Sequence, residues 1–291
     1  MRGVPLWVEA ARPKTLVAGA VPVLVGTAAS ERFSSWRFLG ALAVAVSMQV
    51  GVNFANDYFD AVRGVDTPER LGPRRLTAAG VVTPEAMRTA TIAAFGVGAA
   101  AGFAVAAVAG WELLVVGAVC ILAALGYSGG PRPYGSAGLG EVFVFVFFGP
   151  VATVGSGYVQ SEEVLTTAVW SSVPVGLLAT AILVANNLRD IEGDRRAGKL
   201  TLAVKLGREG TQRLYRSLIG APYLLVPVVS IAESSAGPLL ALLSAPLAWP
   251  LLARVKGREP RVLVGLLVQT ARLLGIFGIL LAAGLWIGRW I

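Results

Sequence analysis

Nine long apolar runs decide what this chain can fold into. They cover approximately residues 14–30, 37–56, 90–109, 111–127, 141–159, 166–186, 214–232, 236–253 and 272–290. Each comes near the roughly 20 apolar residues with which an α-helix crosses a hydrocarbon layer of about 30 Å. Inside lipid every backbone N–H and C=O must find a partner within its own segment or in a closed barrel, so runs of this length read as helices. Only 14% of the chain is charged and 55% is hydrophobic, where soluble domains carry about 25% charge. The expected fold is therefore all-α: a polytopic membrane protein with a single domain over 1–291. The first run is followed by Glu31 and Arg32 rather than by a small-residue cleavage site, so it is expected to be retained.

The charges orient the spans. Of the 25 Lys and Arg, 22 fall in the N-terminal segment and the loops after the even-numbered spans, leaving Arg32, Arg37 and Arg289 for the other side. Cytoplasmic loops are the ones enriched in Lys and Arg. This places the N-terminus and the even loops in the cytoplasm and the C-terminus outside. The formal net charge of +8 then reflects basic loops facing anionic membrane lipid. Nucleic acid is not an expected partner, because no soluble domain is present to carry a groove-reading element. The bias toward Arg over Lys and toward Ala, Val and Gly points to GC-rich bacterial coding, and so to the bacterial cytoplasmic membrane.

The chain has no histidine and a single cysteine, Cys120. That excludes Ser-His-Asp and Cys-His nucleophile systems, imidazole acid–base catalysis, His-ligated metals, an internal disulfide and a CxxC site. Chemistry is left to carboxylates, amides, Lys, Arg, hydroxyls and a metal that prefers oxygen.

Nine of the 17 acidic residues lie in two of the cytoplasmic connections. Asn56 and Asp60 are four apart at the end of the second run, as are Asn186 and Asp190, and then Asp190 and Asp194, at the end of the sixth. On a helix such pairs share one face, so each cluster can aim an amide oxygen and carboxylates at one point. Carboxylates continuous with apolar runs are costly, which argues for function rather than mere solvation of helix ends. Oxygen donors without His or Cys suit Mg²⁺, which keeps waters and is completed by substrate phosphates. The same stretches supply cations for a diphosphate, Arg75 and Lys199 among them. A transporter would place its ion-binding carboxylates within the spans. A CDP-alcohol phosphotransferase would show DGxxAR with a GxxxDxxxD tail, which this chain lacks.

These stretches resemble the UbiA superfamily of intramembrane aromatic prenyltransferases. NDYFDAVRGVD (56–66) is similar to its first Asp-rich motif and NNLRDIEGDRRAGKLTLAVKLG (186–207) to its second. ARPKTL (11–16), RLGPRRLTAAG (70–80) and YSGGPRPYGSAGLGEVFVFVFFGPVATVGSGYVQ (127–160) resemble the branch that serves menaquinone biosynthesis. The likeness is specific over about the first 210 residues and one of character beyond.

The resemblance implies a nine-helix bundle around a central cavity open to the cytoplasm and laterally to lipid. It implies Mg²⁺-dependent transfer of a polyprenyl group from polyprenyl diphosphate to 1,4-dihydroxy-2-naphthoate, with loss of diphosphate and CO₂. A 4-hydroxybenzoate or homogentisate acceptor would use the same diphosphate machinery. Carried onto this sequence, Asn56, Asp60, Asp190 and Asp194 are the metal ligands. Arg75, Arg132, Lys199 and Lys14 are the candidates for the diphosphate. Asp66 closes the first motif; with no histidine, deprotonation would fall to Asp66, to Glu141 or to released diphosphate. Faces such as Tyr127, Tyr134, Phe143 and Phe147 could stabilise an allylic cation.

Overall fold

In a computed structural model, the structure describes residues 6–64, 74–257 and 259–288, the side chain of Pro260 excepted. Most of the helices follow from the apolar runs; the helix at Leu6–Ala11 and the 3₁₀ turn at Tyr134–Ala137 lie outside them. The α-helices are α1 (Leu6–Ala11), α2 (Pro13–Ala29), α3 (Ser35–Val62), α4 (Pro84–Ala109), α5 (Glu112–Ser128), α6 (Gly140–Val146), α7 (Ala152–Ser161), α8 (Thr166–Arg196), α9 (Leu202–Ala232), α10 (Ala245–Arg254) and α11 (Pro260–Ile287). A 3₁₀ turn at Tyr134–Ala137 precedes α6, and another at Gly237–Ser244 leads into α10. A π turn at Phe147–Val151 joins α6 to α7. Pro150 lies in it, lacking an N–H and crowding the preceding turn, and a π turn is how a helix absorbs that defect.

Among the described residues, seven helical segments are long and apolar enough to cross a membrane, and the two 17-residue helices α2 and α5 are apolar but shorter. At about 1.5 Å per residue, 17 residues rise about 26 Å, near the short limit for a span. Several helices outrun the apolar stretches. α3 continues to Val62 and α8 to Arg196, while α9 starts at Leu202 and α11 at Pro260. Helical hydrogen bonds do not stop where lipid does, and the true ends are set by local chemistry. Thr201 accepts the N–H of Val204 as the N-cap of α9, and Thr83 accepts that of Ala86 ahead of Pro84 in α4.

The main core joins α2, α8, α9 and α11 through residues such as Val25, Leu178, Ile219 and Phe277. More than half of α8 is buried, so its acidic end is held by the best-packed helix of the bundle. α5 is the opposite case: only Ala124 and Ser128 are buried, while Val115 and Leu122 face outward. Large apolar side chains such as Leu224, Ile231 and Trp249 are more than three-quarters exposed, as befits a lipid-facing surface and costly in water. The protein is an integral membrane protein.

Where lipid removes the hydrophobic drive between helices, close packing of small residues replaces it. A Cβ on Gly26 of α2 would meet the Thr153 carbonyl oxygen of α7 at 2.0 Å, whereas one on the exposed Gly96 of α4 would meet nothing within 4 Å. Gly26→Ala should therefore destabilise the bundle by about 1–3 kcal/mol, seen as a lower thermal-unfolding midpoint in detergent. Gly96→Ala should leave the midpoint unchanged or raise it slightly.

Candidate active site

The helix ends that carry the two acidic motifs converge. Asn56 and Asp60 on α3, and Asn186, Asp190 and Asp194 on successive turns of α8, line one cavity of about 590 Å³. Arg75, Lys199 and Thr201 line it too. Asp60 is the junction. Its Oδ2 accepts a hydrogen bond from Arg75 Nη2 at 3.1 Å and its Oδ1 one from Lys199 Nζ at 3.2 Å. The backbone N–H of Lys199 donates to the Asp194 carbonyl oxygen at 2.8 Å, so this one lysine ties the second motif to the first. Thr201 Oγ1, besides capping α9, donates to Asp194 Oδ2 at 3.4 Å.

Each remaining acid is also engaged. Arg189 grips Asp190 with both ends of its guanidinium, Nε to Oδ1 at 2.7 Å and Nη2 to Oδ2 at 2.6 Å, and donates to Asn186 Oδ1 at 2.9 Å. Ser128 Oγ donates to Asn56 Oδ1 at 2.5 Å. Buried charges persist only when paired and hydrogen-bonded. Asp60, Asp190 and Asp194 line the cavity together with Arg12, Arg75 and Lys199, and Arg189, off the lining, pairs with Asp190. An anion entering here meets cations that are already desolvated and held in place.

Asp57 has a different task. It is 2% exposed, and its carboxylate accepts the backbone N–H groups of Leu76 and Thr77, both at 3.0 Å. It thereby fastens the 74–80 turn against α3 and sets Arg75 over Asp60. Aromatic rings form the wall beside the charges. Tyr134 stacks on Phe143 with centroids 3.9 Å apart, Phe143 lies 6.0 Å from Phe147, and Tyr127 meets Tyr134 edge-on at 5.5 Å. The Tyr134 hydroxyl donates to the Ala123 carbonyl at 2.8 Å. Burial pushes its phenol above the usual range, so it stays protonated at neutral pH.

The structure brings Asn56, Asp60, Asp190, Asp194, Arg75 and Lys199 to one place. Lys14 and Arg132 are exposed and do not line the cavity. Glu141 is buried and accepts a hydrogen bond from Asn187 Nδ2 at 3.0 Å; Asn187 lines the cavity, Glu141 does not. Asp66 lies outside the described residues. Sequence reasoning passed over Arg189, Thr201 and Ser128; Arg12 also lines the cavity. Helix neighbours do not share a face, so spacing gave no hint that Arg189 would curl onto Asp190. Thr201 was legible as an N-cap position. Among the described residues no cluster of three or more His, Cys, Asp or Glu is assembled for a metal. The donors around the cavity are oxygens spread over two helices, a set that fits a hard cation completed by water and phosphate oxygens.

A bundle of apolar helices with paired Asp-rich ends on a partly aromatic cavity defines a class of membrane transferase, and comparison places the chain in it: it belongs to the UbiA prenyltransferase family, whose model matches residues 19–262. It is 42% identical to the 1,4-dihydroxy-2-naphthoate octaprenyltransferase of Mycobacterium tuberculosis over 97% of both chains. It is 36% identical to the Escherichia coli protein of the same name, over 98% of this chain and 96% of that one. The likeness thus extends past residue 210 through the last helices. Among solved structures, a UbiA homolog from Aeropyrum pernix in its apo form superposes with a TM-score of 0.71 at 18% identity, covering 96% of this chain and 99% of that one. A UbiA homolog from Archaeoglobus fulgidus bound to GPP and Mg²⁺ superposes with a TM-score of 0.66 at 15% identity, covering 95% and 99%.

The role of Asp57 is open to direct test. Asp57→Ala strips the partner from two buried N–H groups, each worth about 1–3 kcal/mol. Trypsin should then cut after Arg75 in the variant, with the fragment seen by mass spectrometry, while the wild type resists at that bond.

Proposed function

We propose that the protein transfers a polyprenyl group from polyprenyl diphosphate to 1,4-dihydroxy-2-naphthoate, giving the prenylated, decarboxylated naphthoquinol used for menaquinone. The observation that carries this reading is the Arg75–Asp60–Lys199 bridge, which joins both Asp-rich motifs at one end of an apolar cavity. The names of the octaprenyltransferase relatives supply the acceptor. Read with the charge bias, one domain of nine crossings sits in a bacterial cytoplasmic membrane, the N-terminus and the acidic ends inside and the C-terminus outside.

Asn56, Asp60, Asp190 and Asp194 would hold Mg²⁺ by oxygen, and the ion would neutralise charge on the leaving diphosphate. Arg75 and Lys199, now on Asp60, are the cations that turn to the diphosphate oxygens. The C1–O bond breaks and its electron pair leaves with diphosphate. Rings such as Tyr134, Phe143 and Phe147 face the allylic cation, and the bundle keeps water from trapping it. A ring carbon of the naphthoate then bonds to C1, and CO₂ and a proton leave as the ring regains aromaticity. Released diphosphate or a carboxylate accepts the proton. Of the two carboxylates suggested by sequence, Glu141 meets the cavity through Asn187.

The test is incubation of purified protein with Mg²⁺, a polyprenyl diphosphate and either 1,4-dihydroxy-2-naphthoate or 4-hydroxybenzoate, with products weighed by mass spectrometry. Decarboxylated prenyl-naphthoquinol is expected. Transfer only to hydroxybenzoate would overturn the acceptor assignment. Chelation should abolish turnover, and the double variant Asp190→Ala, Asp194→Ala should lower kcat/KM by about 10³-fold. Full activity in that variant contradicts the site.

A further inference from the structure

One buried polar pair beside the acids is not accounted for by the diphosphate. Glu141, in the first turn of α6, is 6% exposed, and Asn187 of α8 is 7% exposed. Asn187 Nδ2 donates to Glu141 Oε1 at 3.0 Å. An acid buried among apolar helices is costly, yet among the described residues the side-chain partner of this one is an amide and not a cation.

The pairing fixes which way the amide faces. An amide carries N–H donors on one edge and a carbonyl acceptor on the other, and a carboxylate can only accept. Nδ2 therefore turns to Glu141, which lies off the cavity, and the edge that Asn187 presents to the cavity it lines is Oδ1. Among the described residues no donor meets that oxygen. A carbonyl left bare in a cavity that excludes water loses the hydrogen bond it would make in solvent, so the arrangement calls for a donor from a ligand.

The two substrates differ in what they can offer. An isoprenoid chain has neither N–H nor O–H, and an ionised diphosphate presents oxygen acceptors. A 1,4-dihydroxy-2-naphthoate, the acceptor in the names of the relatives, brings two hydroxyls. Its 1-hydroxyl stands beside the 2-carboxylate and donates to it internally, which leaves the 4-hydroxyl for the protein. The walls near Asn187 suit a flat bicyclic ring. Tyr134 stacks on Phe143 there, and a Cβ on Gly140 would meet Leu183 at 3.3 Å and the Tyr127 ring at 3.4 Å, so these side chains close round Glu141. Asn187 is three residues before Asp190 on α8, a spacing that makes them surface neighbours. A ring held at Asn187 thus lies next to the diphosphate end of the cavity.

We infer that Asn187 Oδ1 accepts a hydrogen bond from the 4-hydroxyl of the bound dihydroxynaphthoate, and that Glu141 is a positioning residue that holds the amide with its oxygen toward the ring. This rests on the prenyl-transfer reading. The proton stays on the hydroxyl; the hydrogen bond draws it toward Oδ1 and leaves more electron density on the ring carbons conjugated with that oxygen.

The experiment is anaerobic titration calorimetry with Mg²⁺ and the unreactive donor analogue geranyl S-thiolodiphosphate. It compares 1,4-dihydroxy-2-naphthoate with 1-hydroxy-2-naphthoate, which lacks the 4-hydroxyl. Wild type should bind the dihydroxy compound about tenfold more tightly. In Asn187→Leu, and in the isosteric Glu141→Gln, whose amide lets Asn187 turn either edge to the cavity, that preference should fall to about twofold or less. The double variant Glu141→Gln, Asn187→Asp should restore it, because the new amide donates to one carboxylate oxygen and leaves the other facing the ring. Glu141→Gln and the double variant decide the matter if Asn187→Leu does not accumulate. A purely structural pair would weaken both ligands together and leave the preference unchanged, which overturns the inference. So does Mg²⁺ binding weakened in Asn187→Leu with the preference intact, since the oxygen would then serve the metal. A wild type that binds both naphthoates equally removes this contact alone; one that binds neither removes the acceptor reading with it.

Discussion

A carboxylate at the edge of hydrocarbon survives only if cations or amide donors face it, and the site is built on how that demand is met at Asp60. This group is 6% exposed and accepts from Arg75 on one oxygen and Lys199 on the other. The two cations come from opposite halves of the chain. Arg75 is delivered by a turn that Asp57 pins to α3, and Lys199 by the turn after α8. Satisfying one buried charge therefore brings both acidic motifs together, and the cations that neutralise the acids are the ones a diphosphate would recruit.

The same economy runs through the bundle. α8 is buried for most of its length and rigidly carries Asp190 and Asp194, whereas α5, on the other side of the cavity, is scarcely buried at all. Fixed geometry lets the charged groups act without reorganisation. Zero histidines suit this chemistry, since leaving-group stabilisation by cations and a dry cavity asks for no imidazole.

Much of this was legible in the sequence because lipid makes hydropathy a strict code and because the i, i+4 spacing of Asn56 with Asp60 and of Asn186 with Asp190 and Asp194 predicts a shared face. Three things were not. Helix ends beyond the lipid, such as Leu202 and Pro260, depend on caps and proline rather than on apolar content. The pairing of Arg189 with its own neighbour Asp190 depends on how a long side chain curls. Lys14 and Arg132 sit in motif-like stretches, yet both are exposed and off the cavity lining, and motif spacing cannot reveal which way a residue at a helix start or in a loop faces. Asp57, inside the first acidic motif, was assigned no role from sequence, and it bonds backbone rather than lining the cavity.

The Asp60–Lys199 bridge predicts that the two motifs act as one coupled anion site. The most direct measurement is a double-mutant cycle on Mg²⁺-dependent binding of inorganic diphosphate by titration calorimetry, using wild type, Asp60→Asn, Asp190→Asn and the double variant. Groups that share one ligand and one network couple by about 0.5–3 kcal/mol, so the losses should be clearly non-additive. Strict additivity, or diphosphate binding that ignores either substitution, would contradict a single shared site.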